Sequence, residues 1–264
     1  MIIGDPVEHS LSPQMHNAGY QALGIDAEFV FVASHVTPEN LEQAILGAKA
    51  LGVHGITVTV PHKTAVIQYL DDLDETAQSV GAVNTIINKN GKLTGYNTDW
   101  VGVINPVLPV MKLNKAKVAV LGAGGAARAA VYGFTQQGAD VTIFNRTLIK
   151  AQALADAFGC KAASLDELEM IKDMELIFNA TSIGLGETKD QTPLPKAHFR
   201  AHHIVFDAIY KPRMTRFLTE AQERGAKTIQ GLEMLLHQGL EQFKLYTGKQ
   251  APELVMRKVL ESEE

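Results

Sequence analysis

The sequence predicts an α/β protein in which helices cover parallel β-sheets and one part of the chain binds a dinucleotide. Strand-like and helix-like segments alternate over most of the 264 residues, which is the pattern of consecutive βαβ units. Near the middle, residues 117–147 combine a strand, a glycine-rich turn, a helix and a second strand. That order and length are what a dinucleotide-binding unit requires.

The chain is longer than one typical domain of about 100–150 residues, so we expect two domains. Alternating strands and helices already precede Asp99, which indicates an α/β domain of its own. We place the boundary near Trp100. The first domain then spans residues 1–100, and a Rossmann-type domain spans residues 101–234.

The glycine-rich turn directly follows an apolar run, Val118–Leu121, which has no alternation and is typical of a strand buried on both faces. Gly122 permits a tight turn, Gly124 lets the backbone approach a pyrophosphate, and the small Ala127 lets the helix pack closely. Free N–H groups at the helix N-terminus would meet the pyrophosphate charge. The predicted cofactor-binding residues of this turn are Gly122, Ala123, Gly124, Gly125, Ala126 and Ala127.

The end of the second strand favours NADP over NAD. An NAD site usually has Asp or Glu there, which hydrogen-bonds the ribose 2′-hydroxyl. This chain has Asn145, Arg146 and Thr147 instead, with Lys150 three residues further on. A guanidinium suits a phosphate dianion and gains nothing from a neutral diol. The alternative is that Arg146 only caps a solvated loop.

Composition narrows the classes of partner. A net charge of −5 argues against a nucleic-acid surface, and a content of 46% hydrophobic residues is ordinary for a globular protein. The sequence contains no apolar run of about 18–20 residues and no recognisable signal peptide, so we expect a cytoplasmic protein without a membrane partner. The single Cys160 excludes an internal disulfide, and the scattered histidines, including the adjacent His202 and His203, lack metal-ligand spacing. We expect no metal. Monomer and homodimer both stay open.

The first domain is predicted to contain several strands and helices in alternation. A short first strand suggests that a few residues could be missing before it. Residues 71–75 are acidic and are expected to be solvated, and the Asn-Gly pair at 90–91 predicts a two-residue hairpin turn. The predicted strands are Met1–Gly4, Glu28–Ala33, Gly55–Val60, Gly81–Asn88 and Leu93–Thr98, and helices are predicted over residues 14–23, from Thr37, and from His62-Lys63.

In the second domain, two strands end in segments that we expect at the cofactor-binding edge of the sheet. Leu176–Ala180 leads into a turn that contains Thr181, Ser182 and Gly184, and His203–Ala208 leads into Tyr210. The carboxyl ends of such strands face the dinucleotide. The chain then finishes in two predicted helices, over residues 232–246 and 252–262.

If the middle of the chain binds NADP, the expected reaction is hydride transfer. Reduction of a carbonyl also needs a proton donor, which Lys, His or Tyr can supply when held by a carboxylate or hydroxyl. Lys63 follows a strand and is expected at the N-terminus of a helix, where the helix dipole would ease proton release. Asp99 follows a later strand of the same domain and could pair with it. The spacing does not establish the pair, and each residue could instead be a solvated surface charge.

Several further motifs resemble those of the shikimate dehydrogenase family, in the family order and over nearly the whole chain. The resemblance rests on the segments Ser10-Leu11-Ser12-Pro13 with Met15-His16-Asn17, Val58-Thr59-Val60-Pro61-His62-Lys63, Gly81-Ala82-Val83-Asn84-Thr85, Gly95-Tyr96-Asn97-Thr98-Asp99, the turn 122–127 with residues 145–147, and Gly231-Leu232-Glu233-Met234 with Gln238.

The resemblance implies reversible reduction of 3-dehydroshikimate to shikimate with NADPH, in the biosynthesis of chorismate and aromatic amino acids. It implies a cleft between a substrate domain and a Rossmann domain, with the C-terminal helices, about 235–264, returning to the first domain. Lys63 would be the general acid and Asp99 would orient it. The implied substrate residues are Ser10, Ser12, Thr59, Lys63, Asn84, Asp99, Tyr210 and Gln238, and the implied cofactor residues add Thr181, Ser182, Gly184 and Gly231 to those named above.

Two departures from the family pattern leave alternatives open. Thr57 stands where the family usually has Asn, and Trp100 stands where Gly is commoner, which we expect to place a large side chain beside the cleft. Both could shift preference toward quinate, so a quinate or dual quinate/shikimate dehydrogenase is the first alternative. A more remote alternative is a non-catalytic metabolite sensor, which would be free to lose Lys63 and Asp99.

Overall fold

A computed structural model describes residues 1–262 of the chain. The chain divides into two compact units. The first unit consists of Met1–Asp99 together with the chain from Leu236 onward, and the second unit is Trp100–Leu235. The chain from Leu236 onward therefore belongs to the same compact unit as the N-terminal part of the chain.

Both units alternate strands and α-helices. The strands are β1 (Ile2–Gly4), β2 (Ala33–His35), β3 (Gly55–Val58), β4 (Asp72–Leu73), β5 (Thr85–Lys89), β6 (Lys92–Tyr96), β7 (Lys117–Leu121), β8 (Asp140–Phe144), β9 (Lys161–Ala163), β10 (Leu176–Asn179), β11 (Ile204–Asp207) and β12 (Lys227–Ile229). The α-helices are α1 (Ser12–Ala22), α2 (Leu41–Ala50), α3 (Glu75–Val80), α4 (Asp99–Val107), α5 (Gly125–Gln136), α6 (Leu148–Phe158), α7 (Arg216–Glu223), α8 (Gly231–Thr247) and α9 (Glu253–Ser262).

The first unit contains a mixed six-stranded sheet in the order β2-β1-β3-β5-β6-β4. Strands β1, β2 and β3 are parallel, whereas β5 is antiparallel to both β3 and β6. Because of these directions, the carboxyl ends of β1, β3 and β6 and the amino end of β5 lie along one edge of the sheet. We call this edge the first-unit edge.

Helix packing completes the first unit. Aliphatic residues of β1, β3 and α2, among them Ile3, Ile45 and Ile56, form one buried core. Helix α1 packs against the C-terminal helices where Gly19 leaves room, since a Cβ there would lie 2.7 Å from the Phe243 ring and 3.3 Å from the Met256 sulfur. The last helices of the chain therefore help to build the first unit.

The second unit is a parallel sheet in the order β12-β11-β10-β7-β8-β9. Numbered from its own first strand, this is the 3-2-1-4-5-6 order of the Rossmann fold. The predicted fold class is thus confirmed. Apolar residues of β7 and α5 pack with a series of edge-to-face rings from Phe134 through Phe178 to Phe206. The order of connection reverses between β7 and β10, which is where such sheets bind ligands.

The prediction of a strand over residues 28–33 is wrong in position, because β2 begins only at Ala33. The side chain of Asn17 pairs with the backbone of Phe31 in both directions, with its Nδ2 2.8 Å from the carbonyl oxygen and its Oδ1 2.8 Å from the amide nitrogen. The alternating aromatic residues resemble a strand, but a side-chain amide takes the place of a neighbouring strand.

The α-helix predicted to start at His62-Lys63 is also absent from the described residues, which have a short 3₁₀ helix over Ala65–Tyr69 instead. Backbone and side-chain bonds to other segments hold the two residues. His62 Nε2 lies 2.7 Å from the carbonyl oxygen of Val36, and the carbonyl of Lys63 accepts a hydrogen bond from the Val83 amide. The α-helix dipole that we expected to act on Lys63 is therefore not present at this position.

One further prediction in the first unit needs correction. The strand predicted from Gly81 begins at Thr85, because Gly81 ends α3 in the left-handed region with φ +67°. The acidic residues at 71, 72 and 75 are exposed, as expected. The segment is also ordered by hydrogen bonds, since Asp71 pairs with Lys49 and the Asp74 carboxylate caps α3 by accepting from the Ala77 amide. The hairpin turn at Asn90 and Gly91 has positive φ angles, as predicted. Within residues 1–262, no helix is both long and apolar enough to cross a bilayer.

Candidate active site

The first-unit edge brings together most of the residues predicted to bind the substrate. Thr59 and Lys63 follow the end of β3, and Asn84 immediately precedes β5. Asp99 follows β6 after a short turn in which the Asn97 side chain accepts from the Asp99 amide and donates to the carbonyl of Ala82. Sheet topology alone thus gathers positions that are far apart in sequence.

Lys63 and Asp99 form a close ion pair at this edge. The Nζ of Lys63 lies 2.6 Å from Oδ2 of Asp99, and the two side chains are only 14% and 5% exposed. The other carboxylate oxygen, Oδ1, accepts from Nδ2 of Asn84 at 2.9 Å. A carboxylate is therefore held between an ammonium and an amide donor in a largely dry environment, where electrostatic interactions are strong.

The Asn84 amide is fixed in one orientation. Its Oδ1 accepts from the Thr98 backbone amide at 2.8 Å and from Oγ1 of Thr85 at 2.9 Å. Its Nδ2 donates to Oγ1 of Thr98 as well as to Asp99, each at 2.9 Å. Because both accepting bonds fall on the oxygen, the nitrogen must face the carboxylate.

The two predicted serines lie in the loop between β1 and α1. Ser12 is buried as the first residue of α1, and its amide donates to Oγ of Ser10 at 3.3 Å. The beginning of this loop is tied to β2, since Asp5 lies 2.7 Å from His35 Nε2. That hydrogen bond raises the pKa of His35.

Three predicted substrate residues remain to be described, of which only Thr59 lies at the first-unit edge. The methyl group of Thr59 packs over Gly4 at the end of β1, where a Cβ would collide with it. Gln238 is buried on α8 in the first unit. Tyr210 follows β11 and belongs to the second unit.

In the second unit, the glycine-rich turn lies between β7 and α5 at the reversal of strand order. Gly122 has φ +108°, and a Cβ there would lie 3.1 Å from the Thr181 methyl and 3.2 Å from the carbonyl oxygen of Ala180. A Cβ on Gly124, by contrast, would meet open space. No side chain of the described residues caps the N-terminus of α5, so its first N–H groups point outward. Of the remaining residues of the turn, Ala127 is buried and Ala123, Gly125 and Ala126 are half-buried.

The segment after β8 carries two cationic side chains. Arg146 and Lys150 are exposed, and within residues 1–262 no carboxylate forms an ion pair with either. Asn145 donates to the carbonyl oxygen of Thr147 at 2.9 Å, which shapes the turn between the strand and α6. Two positive charges thus lie near the carboxyl end of β8, the strand that follows α5.

The carboxyl ends of β10 and β11 are joined through a buried carboxylate, Asp207. Its Oδ1 accepts from Asn179 Nδ2 at 2.9 Å and from the Ile209 amide at 3.0 Å, and its Oδ2 accepts from Thr215 Oγ1 at 2.6 Å. Asn179 in turn accepts from the amide and hydroxyl of Thr181. The turn that contains Thr181, Ser182 and Gly184 is therefore held by hydrogen bonds to Asn179, which itself binds Asp207.

Gly231, predicted to bind cofactor, begins α8 against the same segment. A Cβ at Gly231 would collide with the backbone of Ile209, whose carbonyl oxygen would lie only 2.3 Å away. Its position is therefore explained by a close backbone approach. Whether it also touches the cofactor stays a prediction.

Three family models match the sequence of this chain. The shikimate dehydrogenase substrate binding domain matches residues 2–86, shikimate / quinate 5-dehydrogenase matches residues 107–192, and the shikimate 5′-dehydrogenase C-terminal domain matches residues 231–261. The shikimate dehydrogenase (NADP(+)) of Thermococcus kodakarensis is 44% identical over 259 residues, which cover 97% of this chain and 93% of that protein. The chain belongs to the shikimate dehydrogenase family.

Solved structures of this family agree in fold. A shikimate dehydrogenase in complex with NADP⁺ is 40% identical with a TM-score of 0.93, over 99% of this chain and 94% of that chain. The shikimate 5-dehydrogenase of Thermus thermophilus, solved with NADP(H) and shikimate, is 36% identical with a TM-score of 0.91, over 99% of this chain and 97% of that chain.

The two departures from the family pattern have local explanations in the structure. Thr57 is buried, and its hydroxyl contacts Tyr246 at 2.7 Å and Gln242 at 3.2 Å. Trp100 packs in the second unit, edge-on to Tyr132 with ring centroids 5.9 Å apart. Both side chains are therefore engaged with other residues of their own unit.

Sequence reasoning missed Gln242, Tyr246 and Asp207. Gln242 and Tyr246 follow Gln238 at intervals of four, which places all three on one face of a helix. That spacing could have identified them once Gln238 was singled out. Asp207 ends a buried strand just before Tyr210, but nothing in its local sequence shows that its partners come from two other segments.

The Asp207 carboxyl provides a test of this arrangement, because burial raises its pKa to about 6. The ordinary value for Asp is about 3.9, so folding takes up a proton between about pH 4 and pH 6. This residue's contribution to the free energy of unfolding is therefore greatest at low pH and falls as pH rises, by up to about 3 kcal/mol. The Asp207→Asn variant lacks that dependence and can keep the same hydrogen-bond partners.

We expect the free energy of unfolding of Asp207→Asn, minus that of the wild type, to increase between pH 4 and pH 6 and to level off above. Urea unfolding at several pH values measures this difference, and taking the difference removes the other titrating groups. A difference that is constant across this range would contradict a buried carboxyl with a raised pKa.

Proposed function

We propose that the protein is an NADP-dependent shikimate dehydrogenase that reduces 3-dehydroshikimate to shikimate and catalyses the reverse oxidation. The observation that carries this proposal is the Lys63–Asp99–Asn84 cluster at the first-unit edge, with a proton donor and a carboxylate 2.6 Å apart. Membership of the family and the bound ligands of the Thermus thermophilus relative, NADP(H) and shikimate, support the choice of substrate and cofactor.

The second unit fits NADP(H). Gly122 and Gly124 leave a backbone cradle at the reversal of strand order, and α5 presents uncapped N–H groups to a pyrophosphate. Arg146 and Lys150 supply uncompensated positive charge for a 2′-phosphate. When bound, NADPH supplies the hydride that reduces the carbonyl carbon. The residues proposed to hold the cofactor are Gly122, Ala123, Gly124, Gly125, Ala126, Ala127, Asn145, Arg146, Thr147, Lys150, Thr181, Ser182, Gly184 and Gly231.

Lys63 is the proposed general acid. As negative charge develops on the carbonyl oxygen, one N–H bond of the ammonium breaks and an O–H bond forms at the substrate. The neutral amine that remains still donates to Asp99, whose carboxylate holds the nitrogen in place throughout. In the oxidation direction the amine accepts the proton of the substrate hydroxyl.

The remaining first-unit residues position the substrate in this proposal. Asn84 and Asp99 hold ring hydroxyls, and Thr59 and Gln238 complete the binding surface. Ser10 and Ser12 bind the substrate carboxylate through hydroxyl groups, which fix the anion without placing a second cation beside Lys63. Tyr210, which lies in the second unit, stays a predicted substrate residue.

The first test compares initial rates of NADP⁺ and NAD⁺ reduction with shikimate and, separately, with quinate. We expect the highest kcat/KM for shikimate with NADP⁺, because Thr57 is engaged with Gln242 and Tyr246 and Arg146 favours a phosphate. Equal or faster turnover of quinate would replace this assignment with a quinate or dual-specificity enzyme. Ligand binding without turnover of any pair would favour a metabolite sensor.

Replacement of Lys63 should abolish most of the turnover. We expect Lys63→Ala to lower kcat about 100-fold or more, because the general acid is removed. Lys63→Arg should lose activity too, since a guanidinium keeps the charge but does not release a proton near neutral pH. Steady-state kinetics with NADPH titration by fluorescence measures both effects and verifies that the second unit is intact.

Lys49→Ala is the matched control for Lys63, because Lys49 also forms a lysine–aspartate pair in the first unit, at 2.8 Å from Asp71, but on the surface. We expect its kcat to equal that of the wild type. Full activity in Lys63→Ala, or rescue by Lys63→Arg, would show that Lys63 is not the proton donor.

Arg146→Ala should weaken NADPH binding by about tenfold or more while leaving NADH binding nearly unchanged, because charge-assisted bonds to the 2′-phosphate are lost. Fluorescence titration of each cofactor gives the two dissociation constants. Lys161→Ala is the control, since Lys161 pairs with Asp140 at the opposite end of β8. Equal losses for both cofactors would disprove recognition of the 2′-phosphate by Arg146.

A further inference from the structure

A buried chain of hydrogen bonds runs from α8 to the Lys63–Asp99 pair, and it lies entirely within the first unit. We propose that Gln242, supported by Thr57 and Tyr246, is a positioning residue that acts through Thr85 and Asn84 to orient the Asp99 carboxylate. This inference rests on the proposed function, because it assigns a task in the same proton transfer.

The chain of hydrogen bonds begins with side chains of α8 and β3. Oγ1 of Thr57 lies 2.7 Å from the Tyr246 hydroxyl and donates to Oε1 of Gln242 at 3.2 Å. Nε2 of Gln242 donates to Oγ1 of Thr85 at 2.8 Å, and also lies 3.3 Å from the carbonyl oxygen of Asn84. Helix α8 is thereby connected to the start of β5.

The second half of the chain reaches the reacting groups. Oγ1 of Thr85 donates to Oδ1 of Asn84 at 2.9 Å, and Nδ2 of Asn84 donates to Oδ1 of Asp99 at 2.9 Å. Oδ2 of the same carboxylate accepts from Lys63. The hydrogen bonds are therefore continuous from α8 to the carboxylate that holds the proton donor.

All the donors point the same way. Thr57 donates its single hydroxyl proton to Gln242. In the hydrogen bond between Thr57 and Tyr246, the Tyr246 hydroxyl is therefore the donor. Burial raises the pKa of Tyr246, which keeps the phenol protonated and able to donate. Every subsequent bond donates toward Asp99, and hydrogen bonds aligned in this manner polarise one another.

Burial makes this arrangement selective for one orientation. The exposed fractions of Thr57, Asn84, Thr85 and Gln242 are 5%, 1%, 0% and 0%, respectively, so a reversed amide would leave unsatisfied polar atoms away from water. If Gln242 stopped donating to Thr85, the threonine hydroxyl would be free to turn away from Asn84. The asparagine amide would then lose one of the two bonds that direct its nitrogen to the carboxylate.

These hydrogen bonds also give the buried hydroxyl of Thr57 a role. The hydroxyl accepts a hydrogen bond from Tyr246 and donates one to Gln242. The three residues Thr57, Gln242 and Tyr246 thus form one unit at the end of the chain that is remote from the reacting groups.

The experiment removes individual links with substitutions that preserve shape: Thr85→Val, Gln242→Met, Thr57→Val and Tyr246→Phe. For each variant, kcat, the KM values for 3-dehydroshikimate and NADPH, and the solvent deuterium isotope effect on kcat are measured. We expect kcat to fall about five- to tenfold in Thr85→Val and Gln242→Met, the equivalent of one buried hydrogen bond. The effects of Thr57→Val and Tyr246→Phe should be smaller, with NADPH binding unchanged throughout.

The isotope effect separates positioning from folding. A variant that is merely less stable loses active protein but keeps the wild-type isotope effect, whereas a misplaced Asp99 slows proton transfer and enlarges it. Thr85→Ser restores the hydroxyl and should restore kcat. Thr94→Val is the matched control, since Thr94 lies on β6, the strand next to β5, outside the hydrogen-bond chain.

Each outcome bears on a definite statement. Unchanged kcat and isotope effect in folded Thr85→Val and Gln242→Met, beside an active wild type, would overturn the positioning role and leave the proposed function intact. Failure of Thr85→Ser to recover activity would also contradict it. If the wild type itself does not reduce 3-dehydroshikimate with NADPH, the proposed function fails, and the inference fails with it.

Discussion

The buried ion pair between Lys63 and Asp99 is the interaction that constrains the arrangement of the first-unit edge. Removing two opposite charges from water is costly, and their attraction offsets that cost only where further hydrogen bonds satisfy the remaining polar atoms. Here Asn84 supplies the second donor to Asp99, and backbone contacts hold the segments on either side. The mixed sheet supports the ion pair, because its strand directions bring these segments to one edge.

Much of this support is visible in the sequence. Periodicity and glycine placement predict the Rossmann unit, and the Asn-Gly pair predicts the hairpin between β5 and β6 in the first unit, because each depends on residues close together in the chain. The pair at positions 63 and 99 is different. Its two members are separated by 36 positions, and only the strand directions of β3, β5 and β6 bring them together. Residue type made both of them candidates, and the motif resemblance, not spacing, assigned them to one site.

The parts that sequence reasoning misplaced share one physical cause. The segment before β2 looks like a strand because Phe29 and Phe31 alternate with other residues, yet its backbone bonds to the Asn17 side chain. The segment after β3 looks like a helix start, yet Val36 and Val83 bind its polar groups. In each case a tertiary hydrogen bond outweighs a local preference, and local patterns carry no record of such partners.

Two buried aspartates differ in the charge of the groups that surround them. Both terminate strands or the turns that follow them, and both are nearly inaccessible to water. Asp207 is held by neutral donors, from Asn179, Thr215 and a backbone amide, and burial raises its pKa to about 6. Asp99 faces the ammonium of Lys63. Neutral donors can hold a loop in either protonation state of Asp207, whereas the Asp99 carboxylate faces a cation, which is the group that we propose as the proton donor.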